Sequence, residues 1–236
     1  MLVQKKTYRE LFKKYLSEIL VIVIGISISF WFEEWRSNRK DRETEKKHLI
    51  NFRNDLIQDT LQLTARMEGW EILSQNTYKL ASFKRDSEIS DSIDFYIDNA
   101  ASYVDFKSNQ TAYEEIKQTG QTNLVQNDSL KRLILRHYTI ILPYINEWCN
   151  VNKTHTMTQV IPEMSNYFPV VIDAANTVST EQKIKSLKTQ KLRNLLLTNA
   201  AFKRETLRIF EMMKQASKGL TKEIDKELKK KFRGID

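Results

Sequence analysis

The stretch Leu16–Trp35, LSEILVIVIGISISFWFEEW, constrains this chain more than any other. As a single α-helix it is about 30 Å long, the thickness of a bilayer's hydrocarbon core. From Ile19 to Phe32 it carries no charge and is apolar all round, whereas a surface helix of a soluble domain keeps a polar stripe. Tyr15 flanks one end, and Phe30, Trp31, Phe32 and Trp35 the other. Rings of this kind settle at the headgroup level. The stretch reads as one transmembrane helix.

Three other readings compete with it. The uncharged run is short enough to be a buried core helix, although Glu18 can snorkel towards the headgroups and lengthen the span. A cleaved signal peptide suits the basic N-terminus, but the run ends in Trp31-Phe32-Glu33-Glu34-Trp35, not in a small-residue cleavage site. A helix lying in the membrane plane needs a polar face, which this one lacks.

Some 200 residues remain for one soluble domain with a real core. Only five Gly and three Pro are spread over 236 residues, so turns are few and elements long. The expected fold is all-α: an N-terminal transmembrane helix continuing into an antiparallel bundle of long helices. The single cysteine, Cys149, excludes an internal disulfide framework. A net charge of +8 is interspersed along the chain, which is the pattern of solvated helix faces. No basic stripe with interleaved stacking aromatics is present, so no nucleic-acid partner is expected.

Residues 1–15 form a basic juxtamembrane tail with Lys5, Lys6, Arg9, Lys13 and Lys14. Residues 16–35 are the span, and residues 36–236 the bundle domain. Arg36, Arg39, Lys40, Arg42, Lys46 and Lys47 follow the span, so the charge bias across it is nearly balanced. A short tail this basic is costly to translocate, while long domains cross largely regardless of charge. The expectation is a cytoplasmic N-terminus with the domain on the other side.

Past the span the helical pattern continues to about Lys84, with Leu49, Phe52, Leu56, Leu63, Trp70 and Leu73 on one seam and Asp59 and Arg66 interrupting it. Ser90 or Asp91 is placed to cap a short helix. Asn109-Gln110-Thr111 opens another, with Gly120 as its left-handed stop. Asn127-Asp128-Ser129 caps a third, whose apolar face is Leu130, Leu133, Ile134, His137, Ile141, Tyr144, Ile145 and Trp148. Pro143 should kink or loosen that helix. Residues 160–180, with Pro162 and Pro169, read as an irregular connection whose Tyr167, Phe168, Val170, Val171 and Ile172 pack inward. One last helix is expected from Thr180 to Phe232, with Leu192, Leu195, Phe202, Ile209, Met213, Ala216 and Leu220 at coiled-coil spacing. Packed antiparallel to the first, it returns Lys229, Lys230 and Lys231 to the membrane surface, where Lys5, Lys6, Lys13 and Lys14 also lie. Each such side chain is worth about 1 kcal/mol near anionic lipid.

Two stretches carry a family resemblance. Residues 17–49, SEILVIVIGISISFWFEEWRSNRKDRETEKKHL, are followed by Asn54-Asp55-Leu56-Ile57-Gln58-Asp59. Farther on comes Ala112-Tyr113-Glu114-Glu115-Ile116-Lys117-Gln118-Thr119-Gly120. Together they resemble a bacterial family of short single-pass membrane proteins, domain of unknown function 6090. In that family a Glu-Ile-containing span with a Val-Ile-Gly-Ile core precedes a Trp and a charged helix, and a Tyr-x-x-Leu-Lys-x-Ser-Gly turn follows. Here Phe30-Trp31-Phe32-Glu33-Glu34 replaces the family's Gln-Ile-Asn-Asn, Ile116 stands for Leu and Thr119 for Ser. The resemblance implies residence in the bacterial inner membrane and no assigned activity.

The search for chemistry begins at Glu18, because a carboxylate inside a span is a functional hypothesis by default. At about 100° per residue Glu18, Ile22, Gly25 and Ser29 share a face, and Gly25 and Ser29 make a small-xxx-small pair that lets helices approach. That face predicts a homo-oligomer seam or a charged pore lining, against simple snorkelling beside Lys14. Glu45 and His48 have the Glu-x-x-His spacing of di-metal bundles, but no second copy exists, so a solvated face is expected. Asp55 and Asp59, one turn apart, are a weak cation site and read as surface charge or pairing inside the bundle. His137 reads as a hydrogen-bonded core histidine, and Cys149 and His155 are poorly spaced for a nucleophile pair. No phosphate-binding glycine loop, zinc signature or nucleophile elbow occurs. No catalytic residue, cofactor or metal is expected. The expected partners are the lipid bilayer, a further copy of the chain and an unidentified protein.

Overall fold

The structure, a computed structural model, describes residues 2–168 and 178–232, with side chains from Phe12 onward except that of Thr122. Lys5 and Lys6 as side chains, and Pro169, Val170, Val171, Ile172 and Arg233 altogether, lie outside the described residues. Every described element is helical. The chain divides into two compact units, residues 1–48 and 49–236, and helix α1 (Leu2–Ser82) passes through both.

In the first unit every described residue from Phe12 to Lys40 is exposed. The most apolar 18-residue window has a mean hydropathy of 2.0 and none of it is buried. This helix is long and apolar enough to cross a membrane, and among the described residues that window is not buried as a core helix would be. Ser17 and Ser29 donate back to the carbonyls of Lys14 (2.7 Å) and Gly25 (3.0 Å), so both hydroxyls are satisfied within the helix, as lipid requires. Phe32 lies 5.8 Å from Trp35, and the Arg39 guanidinium 5.9 Å over the Trp35 ring.

The second unit packs three long helical runs. The first is the later part of α1. Asn127 caps the second run, its Oδ1 accepting from the amides of Ser129 (3.1 Å) and Leu130 (3.2 Å). This run comprises α4 (Asp128–Arg136), α5 (Leu142–His155) and α6 (Ile161–Tyr167). Its helices are joined without a break by two π-helical turns, His137–Ile141 and Thr156–Val160. The third run is α8 (Gln190–Lys231). Arg53 pairs with Asp225 (2.6 Å), Ser74 donates to the Ala200 carbonyl (3.4 Å) and Arg193 to that of Ala81 (3.1 Å). Rising numbers on α1 thus meet falling ones on α8, the antiparallel arrangement expected.

Shorter elements close the bundle: α2 (Ile93–Ala101), α3 (Thr111–Thr119) and α7 (Thr180–Leu187). Gly120 ends α3 at φ 67°, the left-handed stop expected of it. Neither Ser90 nor Asp91 caps α2: both lie in a 3₁₀ turn ahead of it, and Ser92, the residue before α2, makes no side-chain cap bond.

Further expectations need correction. Pro143 and Pro162 do not break their run. Each is preceded by a π turn in which one extra residue enters the ladder, Leu142 bonding to the His137 carbonyl and Ile161 to that of Thr156. Widened turns of this kind absorb a proline's missing donor and steric demand. The extra residue also rotates the buried face, so Leu142, Ile145 and Cys149 point inward while Tyr144 is exposed. Residues 161–167 are likewise helix, not irregular connection.

The final helix is two helices. Thr189 is extended (φ −66°, ψ 136°), and its hydroxyl donates to the Ser186 carbonyl (2.7 Å) at the end of α7. Within α8 the buried seam is Leu192, Leu196, Asn199, Lys203, Thr206, Phe210, Met213, Ser217, Leu220 and Ile224, spaced alternately by four and three residues as in a coiled coil. Leu195, Phe202 and Ala216, expected in the seam, sit beside it and are half-buried.

Candidate functional site: a polar layer inside the bundle

Two apolar clusters fill the bundle. The first gathers Leu49, Phe52, Leu56 and Leu63 of α1 with Ile134, Tyr138 and Ile145, and with Phe210 and Met213 of α8. At its centre Phe210 lies 4.9 Å from Trp70 and 5.8 Å edge-on from Phe106. The second joins Leu80, Ala81, Ile93, Val160, Leu187, Leu192 and Leu196.

Between them, on every long run, the buried positions turn polar. These are Ser74 and Thr77 on α1, Asn152 and Thr156 on the second run, and Asn199, Lys203 and Thr206 on α8. Apolar core precedes and follows this level along each run, so it forms one layer.

Lys203 is its centre and is fully buried. Its Nζ donates to the Asn99 carbonyl (2.7 Å), the Thr77 hydroxyl (3.0 Å) and the Ala100 carbonyl (3.2 Å). The Asn199 amide adds a bond to the Ala100 carbonyl (2.8 Å) and accepts from Thr156 (3.2 Å). Lys203 and Asn199 together satisfy the last carbonyls of α2, where a helix leaves acceptors unpaired and its dipole is negative. No carboxylate forms an ion pair with Lys203 among the described residues. Burial without such a partner pulls its pKa down to about 7.

Asp55 and Asp59 form a second polar group. Asp59 accepts from the Asn109 amide (2.8 Å) and the Ser108 hydroxyl, and Asp55 from the Ala112 amide (2.9 Å). They are not surface charge: both are buried, bond to groups inside the bundle and hold the start of α3. Asn109 also reaches Gln58 (3.0 Å). The stretches 54–59 and 112–120, both singled out in the sequence, are therefore brought together. Burial raises both carboxyl pKa values. The Ala112 amide opposes this at Asp55, and the Asn109 amide and Ser108 hydroxyl oppose it at Asp59, where the Asp55 charge adds a further rise.

The remaining candidates resolve differently. Glu45 and His48 are buried, so the solvated face expected there is wrong. Among the described residues no group of three or more His, Cys, Asp or Glu could hold a metal ion. His137 is buried as expected, but neither ring nitrogen finds a hydrogen-bond partner, and burial lowers its pKa to about 4. Burial pushes the Cys149 thiol up to about 11, and the His155 ring packs edge-on to Phe202 at 5.0 Å. On α1, Ile22, Gly25, Ile26, Ser29, Phe30 and Glu33 line one open groove. A Cβ on Gly25 would meet nothing within 4 Å. Glu18, Lys13 and Lys14 are exposed on α1, as are Lys229 and Lys230 on α8, while Lys231 reaches back to Gln126 (2.8 Å).

Sequence reasoning missed the layer because it counts apolar residues. The signal was there as a heptad whose polar members, Asn199, Lys203, Thr206 and Ser217, keep strict four–three spacing with Leu196, Phe210 and Ile224. Comparison with known protein families, curated protein sequences and solved structures gives no match.

Proposed function

We propose that this chain is a single-pass membrane protein whose helical bundle is an interaction or sensing module, not an enzyme. It resides in the bacterial inner membrane with its N-terminus cytoplasmic and its bundle outside the cytoplasm. One observation carries the reading: the run Ile19–Phe32 is apolar on all sides and wholly exposed, a surface far beyond the apolar patches that soluble monomers tolerate. The basic tail, the aromatic residues at the exit and the resemblance to the 6090 family support it. A partner or ligand acts by shifting the long helices, and α1, one helix from Leu2 to Ser82, passes that shift to the anchor.

Cysteine accessibility at Ser37→Cys, with Cys149 replaced by Ala, tests the topology. An impermeant maleimide should label intact spheroplasts; labelling only after permeabilisation would reverse the orientation, and recovery of the chain in the soluble fraction would remove the anchor.

A second reading is favoured by the Gly25/Ser29 groove: an oligomeric membrane-disrupting or channel-type effector that associates through Glu18, Ile22, Gly25 and Ser29. Ion flux from protein-loaded liposomes, lost in Gly25→Leu, would select it over the first. Absence of flux would remove it.

A further inference from the structure

The three acceptors around the Lys203 Nζ define which form of the amine fits. Asn99 and Ala100 offer carbonyls, and the Thr77 hydroxyl spends its proton on the Leu73 carbonyl (2.7 Å). The Ala100 carbonyl already accepts from the Asn199 amide (2.8 Å), so a neutral amine, with its two N–H, can serve the Asn99 carbonyl and the Thr77 hydroxyl. The ammonium would sit fully buried with no carboxylate among the described residues, which is costly for an ion that water would solvate. The closed layer thus suits the neutral amine and disfavours the charged one.

The element that completes the enclosure is α2. It is nine residues long, preceded by 3₁₀ turns and followed by extended chain. Its polar attachments are the carbonyl end on Lys203 and Asn199, the Asn76–Asn99 side-chain bond (3.3 Å), the Asp94–Lys183 pair (2.5 Å) and the Lys79–Tyr96 bond (2.7 Å), and Ile93 and Ala100 bury it in the second apolar cluster. Beside the layer, the second run has its π turn at Thr156–Val160, and π turns inside helices recur at functional sites.

We propose that this layer is a proton-sensitive joint: releasing α2 solvates the Lys203 ammonium, so acid loosens this level of the bundle and base closes it. From α1 and α2 the groups bonded to Nζ are the Thr77 hydroxyl and the two carbonyls, none of which titrates. From α5 the titratable neighbour is His155, whose own pKa is lowered by burial and by the Lys203 charge, against a rise from its backbone bond with Leu195. That downward shift keeps His155 out of the alkaline range, so the transition there belongs to Lys203. With the closed-state pKa at about 7 and a solvated lysine near 10.4, the open state binds the proton more tightly. Closing is then favoured by a factor rising towards tenfold per pH unit, roughly 25-fold between pH 6.5 and 8.5. The joint lies wholly within the bundle and operates whether or not the anchor is in lipid.

Hydrogen exchange of the full chain in detergent micelles reads it, with rates divided by the intrinsic rate at each pH. Protection of the α2 amides should fall by roughly 25-fold from pH 8.5 to 6.5, while α4 amides hold. Lys203→Met should abolish the step. A flat α2 profile in the wild type, or an equal step in Lys203→Met, overturns the proposal. A second reading needs no variant: the Lys203 side-chain resonance followed by NMR titration. A midpoint below pH about 8.5 supports the joint, and one at or above it overturns it.

Discussion

Asp59→Ala removes the acceptor that holds two donors at the start of α3, the Asn109 amide and the Ser108 hydroxyl. Hydrogen bonds to a charged group contribute about 1.5–3 kcal/mol each, so the gross loss is about 3–6 kcal/mol. Part is recovered, because burial already disfavours this carboxylate and deletion ends that cost. The net expectation is a loss of about 2–4 kcal/mol. Asp55→Ala frees only the Ala112 amide and should cost about 1–2 kcal/mol. Each single deletion also relieves the repulsion between the two carboxylates, whereas the double deletion relieves it once. The double variant should therefore cost more than the sum of the singles. Urea unfolding followed by circular dichroism gives the three values, and hydrogen exchange at residues 108–119 should rise in both singles. An Asp59→Ala cost under about 0.5 kcal/mol, or one smaller than that of Asp55→Ala, would refute the assignment of these residues as anchors of α3.

The register of α8 is tested by a neighbouring pair: Leu196→Ala should destabilise by about 2–5 kcal/mol and Leu195→Ala by much less, and the reverse order in urea titrations would restore the register first read from sequence. His137, held neutral by burial with a pKa of about 4, makes the unfolded chain the better proton acceptor between pH 6.5 and 4. Its contribution is complete above pH 6.5 and falls by about 3 kcal/mol as pH drops to 4; His137→Phe should flatten that part of the stability profile, and an unchanged slope would contradict it. Cys149, with its thiol at about 11, should resist maleimide in the native bundle at neutral pH and react on denaturation; rapid native labelling would show that the second run opens at this point.

The parts of the fold that were legible rest on local chemistry. Gly120 needs a left-handed backbone and Asn127 an orphan amide to accept from, and both requirements are written in short stretches of sequence. The long apolar N-terminal helix and the pairing of α1 with α8 follow from long patterns. What escaped was set by tertiary context. Asp59 looked like an interruption of the α1 seam and is a buried member of it, because its partners lie some fifty residues away at Ser108 and Asn109. Lys203 drew no notice in the sequence because its acceptors come from α1 and α2. Pro143 was expected to loosen its helix; the widened turn at His137–Ile141 instead carries Leu142 fully into the core, while Ile141 packs partly buried against it.

The most direct measurement is alkaline carbonate extraction of membranes from cells expressing the full chain. If lipid surrounds Ile19–Phe32, the protein stays in the pellet and is released only by detergent. Recovery in the carbonate supernatant as a monodisperse species would mean that those side chains are covered by protein, and would contradict the account.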